Sequence, residues 1–437
     1  MLALISSRAI IYVLPLITLP VTFNYLGAER FGMYMAVISF AAIYSLTEGG
    51  VSNSVITAAA RASANRDARG IKQVLASSIA LVTPGVAVAI VASILMAWLT
   101  PWQSMLNLSS PAVAHEAAQC ICVLGVCIAF SFLTGVGMKL RRGMNQAAAV
   151  AFWETVGAVA TVPVLFLALH FRLGSPWLVA CLFGAPQAAA IVGLVVFLSR
   201  NPEYIPVRAD IRWAVAVDLL RSSVMFLATG LAAGILLGLD AVFIARMGGP
   251  EAVGPYMIAQ RLFLIPFILS NFWFYSTWPS LAEAAHKRDF AWVRRTFWTA
   301  VLLASGFALV LSSLLALFFS PVTRLWIGTA LPAEPLLMGS MIALACLQVF
   351  TNACSTLMFA IEARRQQILI SLASFGMGLV LKLALLSVFM PAGAAMATAL
   401  TLLLAQALPY LAILPRRLSD SGSTGSTALA ATSGERS

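Results

Sequence analysis

The chain has 437 residues, of which 61% are apolar and only 10% charged, with a mean hydropathy of +0.94. A water-facing domain is usually about a quarter charged, so this composition excludes a soluble globular protein and makes lipid the solvent. The net charge of +11 would suggest a nucleic-acid partner in a soluble chain, but here the cations stand in short clusters between apolar runs, where they orient the chain in a bilayer and imply no nucleic acid.

A spanning helix needs about 20 mostly apolar residues. In chain order such runs fall at 8–26, 32–58, 74–99, 116–138, 147–171, 176–199, 214–245, 253–283, 297–320, 336–360, 368–390 and 393–414, which predicts an all-α integral membrane fold of about twelve transmembrane helices. Pro15, Pro20 and Pro163 are expected to interrupt their helices, and Trp98, Trp102 and Trp326 fit an interfacial belt. Clusters of Arg and Lys follow every second span: Arg61 to Lys72, Lys139 to Arg142, Arg200 to Arg212, Lys287 to Arg295, Arg364 with Arg365, and Arg416 with Arg417. The alternate loops hold only Arg30, Arg172, Arg246 and Arg324. By the positive-inside rule the basic loops and both termini are cytoplasmic. The first apolar run lacks a basic segment ahead of it and continues into the fold, so it is not read as a cleaved signal peptide. The six cysteines lie in apolar runs without a CxxC or metal-ligand spacing. The tail at 415–437, rich in Ser, Thr, Gly and Ala, is predicted to be disordered.

Shifted by 222 residues (249 minus 27), the sequence partly matches itself. Gly27, Glu29, Gly32 and Tyr34 fall on Gly249, Glu251, Gly254 and Tyr256, and Arg66 with Asp67 falls on Arg288 with Asp289. The shift covers an even number of spans, so both halves enter from the same side as parallel repeats. The predicted organisation is an N-terminal six-helix bundle at 1–199, a cytoplasmic linker at 200–213 and a C-terminal six-helix bundle at 214–414. Two equivalent bundles joined by one linker argue for a transporter working by alternating access.

The pattern Gly27-x-Glu29-x-x-Gly32-x-Tyr34 after a Pro-containing helix, its second copy at 249–256, Gln260 with Arg261, and Pro279-Ser280-Leu281 resemble the polysaccharide biosynthesis family. These are the O-antigen and exopolysaccharide repeat-unit flippases of the multidrug/oligosaccharidyl-lipid/polysaccharide exporter superfamily. The resemblance, over roughly 8–414, implies a MATE-like fold and a bacterial inner-membrane flippase. Its substrate would be an oligosaccharide on polyprenyl diphosphate, and its partners a polymerase and glycosyltransferases of lipopolysaccharide or exopolysaccharide synthesis. A drug or cation antiporter of the same superfamily and a membrane polymerase are the alternatives.

Charge inside a bilayer is expensive and marks function by default. Given a diphosphate headgroup, Arg8, Arg221, Arg261 and Lys382 are the candidate anion-binding groups, because guanidinium forks and ammonium groups suit phosphate oxygens. Three of them break the repeat and are less easily scaffold common to both halves: Arg8 falls on Gly230, Arg261 on Ser39 and Lys382 on Ala160. Arg8 and Arg221 also suit snorkelling to the interface. Glu48, Glu154 and Asp240 are candidates for coupling to H+ or Na+ or for gating. Glu48 and Glu154 have no obvious partner in the sequence, whereas Asp240 and Arg261 are placed to form an ion pair, structural or gating. No Ser/His/Asp group, HExxH or P-loop is present, so no enzyme, cofactor or metal site is expected.

Overall fold

In a computed structural model the described residues are 2–220, 238–271, 274, 281, 284, 287, 289–360 and 364–415, with the side chains of 2–9, 11, 12, 42–53, 359, 360 and 364 excluded. Most of the predicted span 214–245 and the tail beyond 415 lie outside that set. The described elements are α1 (Leu2–Ala64), α2 (Ala68–Leu99), the short α3 (Trp102–Met105), α4 (Pro111–Gly143), α5 (Ala147–His170) and α6 (Ser175–Arg200). After two 3-10 turns, Pro202–Tyr204 and Arg208–Asp210, come α7 (Asp240–Gly248), α8 (Pro250–Phe263), α9 (Phe290–Leu317), α10 (Phe319–Ile327), α11 (Pro335–Ala360) and α12 (Arg364–Leu386). Last comes α13 (Ala392–Thr401), which passes into a π-helical stretch, Leu402–Ala407. Among the described residues there is no strand.

Nine helices among the described residues are long and apolar enough to cross a membrane. The first helix is longer than any of these. At 1.5 Å per residue its 63 residues would run about 95 Å, three times a bilayer core, if straight. It is broken at Gly27, whose φ of 74° and ψ of 171° leave the helical region for one that only glycine enters cheaply. The helix continues through Pro15 and Pro20, and α5 through Pro163, so the expected interruptions do not occur and glycine is the breaker. In an apolar bundle, neighbouring groups re-satisfy the backbone that a proline frees.

Two compact units divide the chain, residues 1–254 and 255–437. In the first, α4 is the central helix, with α1, α2 and α6 packed on it and α7 packed on α1. Its core joins Val55, Ala59, Leu75, Val136, Leu140 and Phe197. On α2, Val88, Val91, Ile94, Leu95 and Trp98 are exposed, and a long apolar helix with a bare apolar face is what lipid contact requires. In the second unit α9 packs on α11, and Phe297, Val301, Val349, Leu357 and Tyr410 form the core.

Three helix ends in the first unit close alike. Arg66, Asn145 and Arg172 take left-handed φ of 52°, 63° and 53°. The next N–H then reaches back to the carbonyl of Ala62, Arg141 or Ala168 at 2.9–3.0 Å. This closure satisfies carbonyls that would otherwise be orphaned at the end of a membrane helix.

The duplication is written in the backbone. Gly249 has φ 83° and ψ 161°, nearly the values of Gly27. The Asp67 N–H donates to Ala62 O, and its carboxylate accepts from Gly70 N at 2.8 Å to cap α2. At the same offset the Asp289 N–H donates to Ala284 O, and its carboxylate accepts from Trp292 N at 3.1 Å to cap α9. The second glycine of the motif serves contact: a Cβ on Gly32 would stand 1.8 Å from Pro250 O, and one on Gly254 3.2 Å from the Phe23 ring. Each glycine turn therefore packs against the chain next to the other. Glu29 adds a tie, accepting from the N–H and hydroxyl of Ser109 at 2.7 and 2.8 Å.

The basic loops of this unit collect at one end. Lys72 pairs with Asp210 at 3.3 Å, the Ser77 hydroxyl accepts from Arg212 N at 2.9 Å, and Gly143 lies against Ile56 O. The Val207 N–H, with Lys72 beside it, holds the Asp210 carboxyl below its ordinary 3.8.

Gly32→Ala is expected to lower the melting temperature of the purified protein, since a methyl against backbone costs about 1–3 kcal/mol. Gly85→Ala, where nothing lies within 4 Å, should leave it level or raise it. Asp210→Asn should lower the melting temperature at pH 7. Because the folded carboxyl titrates below its unfolded value, the wild-type advantage is complete above about pH 4 and shrinks as pH falls through the lowered value.

Candidate functional site

Two predicted anion-binding residues stand in the second unit. Lys382, late in α12, is 1% exposed. An ammonium enclosed this fully in a membrane helix demands compensation, and it does have a polar interaction in the fold. Arg261 lies in the last turn of α8, between buried neighbours. Its Nε is enclosed and has no hydrogen-bond partner among the described residues. An orphaned buried donor costs about 1–3 kcal/mol, a cost that an anionic group beside it would offset. Arg8 lies on α1 with its side chain outside the described set, as does Glu48, and Arg221 lies outside it altogether.

The acidic candidates separate. Asp240 opens α7 in the first unit and is 3% exposed. A carboxylate in the first turn of a helix is favoured by the backbone N–H groups there. Glu154, expected to lack a partner, forms an ion pair with Arg142. The tight turn at Asn145 folds α5 back on the end of α4 and brings together two residues 12 apart. The missed partner belonged to the basic loop itself, one of the cations read only as setting orientation.

The structure also holds polar groups that the sequence reading passed over. In the second unit the Tyr410 hydroxyl donates to Gln367 Oε1 and Gln367 Nε2 donates to Ser355 Oγ, both at 2.9 Å, linking α11, α12 and the last helix. Asn352 donates to Asn271 Oδ1 at 2.6 Å. Their residue types were visible in the sequence, but not their partners. At the end of the first unit opposite the basic loops, Glu116 accepts from Arg30 at 2.6 Å and from Ser175 N at 2.9 Å, while Tyr25 donates to Leu173 O. Beside this pair is an open cavity of about 1010 Å³ bordered by Trp98, His115, Gln119 and Trp177. Trp98, 88% exposed, suits the interfacial belt. Trp102 does not: it is buried, donates to Ala97 O at 3.2 Å and meets Phe40 edge to face. The helical turn of α3 directs that indole inward.

Among the described residues no three His, Cys, Asp or Glu side chains gather as a metal site. Enclosed cations within spanning helices can hold an anion.

Solved structures share this architecture. An inward-facing multidrug-resistance MATE family transporter of the MOP superfamily aligns over 97% of this chain and 96% of its own, with TM-score 0.77 and 16% identity. The lipid II flippase MurJ in an inward closed conformation aligns over 95% and 87%, with TM-score 0.69 and 15% identity. A MOP superfamily transporter from Pyrococcus furiosus aligns over 96% and 97%, with TM-score 0.59 and 13% identity. At these identities the likeness establishes the fold, a MATE-like all-helical membrane architecture. No curated protein sequence matches the chain significantly. The family profile described as polysaccharide biosynthesis protein matches residues 1–285, well over half the sequence. This multi-pass membrane protein therefore belongs to the polysaccharide biosynthesis protein family.

Proposed function

We propose that the protein is a flippase for an oligosaccharide repeat unit carried on polyprenyl diphosphate. It moves this lipid from the cytoplasmic to the outer leaflet of a bacterial inner membrane for surface polysaccharide synthesis. The observation that carries this reading is the embedding of Lys382 and Arg261 in spanning helices of a polysaccharide biosynthesis family chain, with Arg261 Nε left without a partner among the described residues. A diphosphate supplies oxygens for the Arg261 guanidinium, and Lys382, Arg8 and Arg221 would add charge as the headgroup enters. The structural neighbour MurJ, a lipid II flippase, supports a fold able to carry lipid-linked cargo.

In this reading the duplicated halves, 1–199 and 214–414, rock about the linker 200–213, and both termini stay cytoplasmic. The headgroup crosses the membrane while its isoprenoid chain stays in lipid, and no covalent bond is made or broken. Glycosyltransferases deliver the substrate and a polymerase receives it. Asp240 and Glu48 are the candidates for H+ or Na+ coupling or for gating. Glu154, neutralised by Arg142, serves better as a structural tie. The buried Asp240 and the MATE neighbours favour a second reading, antiport of cationic drugs, in which the acid rather than the bases binds cargo.

The test is translocation of lipid-linked oligosaccharides in proteoliposomes. Arg261→Ala and Lys382→Ala should lower the rate by about tenfold or more, and Arg261→Lys should recover part of it, in variants that keep the wild-type elution profile. Absence of flipping by intact protein across several glycan donors, with cation-coupled drug efflux lost in Asp240→Asn, would establish the antiporter instead. Glu154→Gln should retain flipping. A double-mutant cycle with Arg142→Gln should return a coupling of about 0.2–1 kcal/mol in stability, the range of a partly exposed ion pair.

A further inference from the structure

At the basic end of the first unit α4, α5 and α6 enclose a cavity of about 490 Å³, lined by Arg141, Gln146, Phe152, Trp153, Arg200 and Asn201. Arg141 is the group that needs explaining. It is 6% exposed and held in place from three sides. Its Nε donates to Gln146 Oε1 and Nη1 to Gly193 O, both at 3.2 Å, and its guanidinium carbon stands 5.2 Å over the Phe197 ring. The Trp153 indole covers Gly193 so closely that a Cβ there would meet the ring at 2.7 Å.

These contacts use two of the five N–H donors of Arg141 and include no carboxylate. The nearest acid in sequence, Glu154, is committed to Arg142. A buried guanidinium fixed in orientation, with donors left toward a cavity and no counter-charge from the described residues, is incomplete without an anion. Arg200, exposed at the end of α6, brings a second cation to the same cavity. Phe152, 60% exposed, and its neighbours on α5 present an apolar surface beside it. The complement is therefore amphipathic: an anionic head against two arginines and hydrocarbon along Phe152.

We propose that this cavity is a binding site for the headgroup of an anionic phospholipid from the leaflet that faces the basic loops, its phosphate held by Arg141 and Arg200. Basic pockets between membrane helices on the positively charged side take such headgroups. The site lies within the first unit alone and is separate from Arg261 and Lys382, so it does not depend on what the protein transports. Its occupant locks the α4–α5 turn, where Arg142 and Glu154 are also joined.

The experiment is native mass spectrometry of the delipidated full-length protein, titrated with phosphatidylglycerol or with phosphatidylcholine of the same chains. The wild type should retain phosphatidylglycerol at least about fivefold more tightly. Arg200→Gln, which leaves the buried contacts untouched, should remove about fivefold of that affinity, and Arg141→Gln more. Arg172→Gln, in a loop at the other end of the unit, should change nothing. Equal retention of the two lipids, or affinity unchanged in both Arg200→Gln and Arg141→Gln, would overturn the proposal. So would full displacement by millimolar glycerol 3-phosphate, which would make the ligand a soluble phosphate ester, or a preference of the site for polyprenyl diphosphate over phosphatidylglycerol, which would make it part of the transport route.

Discussion

The structure depends on one constraint: a charge placed in hydrocarbon must be compensated or moved to an end. In the first unit the constraint is visible as sorting. Lys72, Arg141, Arg142, Arg200 and Arg212 gather at one end, where Asp210, Glu154 and the Gly193 carbonyl meet part of their charge. At the opposite end Arg30 and Glu116 neutralise each other. What remains between the ends is apolar helix with its backbone bonded to itself, and that leaves α4 free to be central and α2 free to face lipid. Lys382, Arg261 and Asp240 lie outside this sorting, on helices away from the paired ends.

Two glycines per half build the other invariant of the fold. The first takes a left-handed φ that turns one spanning helix into the next, and the second removes the Cβ that would collide with the neighbouring turn. Recurrence of the same φ and ψ at Gly27 and Gly249, and of the same cap at Asp67 and Asp289, is physical support for duplication that residue matching alone suggested. The compact units divide later than the repeat, after Gly254, because α7 and the Gly249 turn pack against α1. Sequence ancestry and local packing thus draw different lines through the chain.

The helical spans, and the cations that cluster at one end of the first unit, could be read from the sequence because they follow from local rules: apolar run length and clustered charge. The partners of charged and polar side chains could not, because they are set by which helices come to lie side by side. Arg30 finds Glu116 at a separation of 86 residues, and Tyr410 finds Gln367 at 43. Glu154 and Arg142 are only 12 apart, yet the pair needed the left-handed turn at Asn145 to be foreseen. Trp102 was misplaced for a similar reason: composition put it at the interface, and the turn of α3 carried it into the core. Pro15, Pro20 and Pro163 read as breaks under rules drawn from water-exposed helices, which a membrane bundle relaxes.

The claim on which the functional account rests is that the embedded cations of the second unit exist to meet a diphosphate. Equilibrium binding of a short-chain polyprenyl diphosphate, set against the uncharged polyprenol of equal length, tests it most directly. The account predicts that the diphosphate binds at least about tenfold more tightly, and that Lys382→Met together with Arg261→Gln erases the difference while leaving polyprenol binding as it was. Equal affinity for the two lipids in the wild type, or a preference for the diphosphate that survives both substitutions, would contradict it.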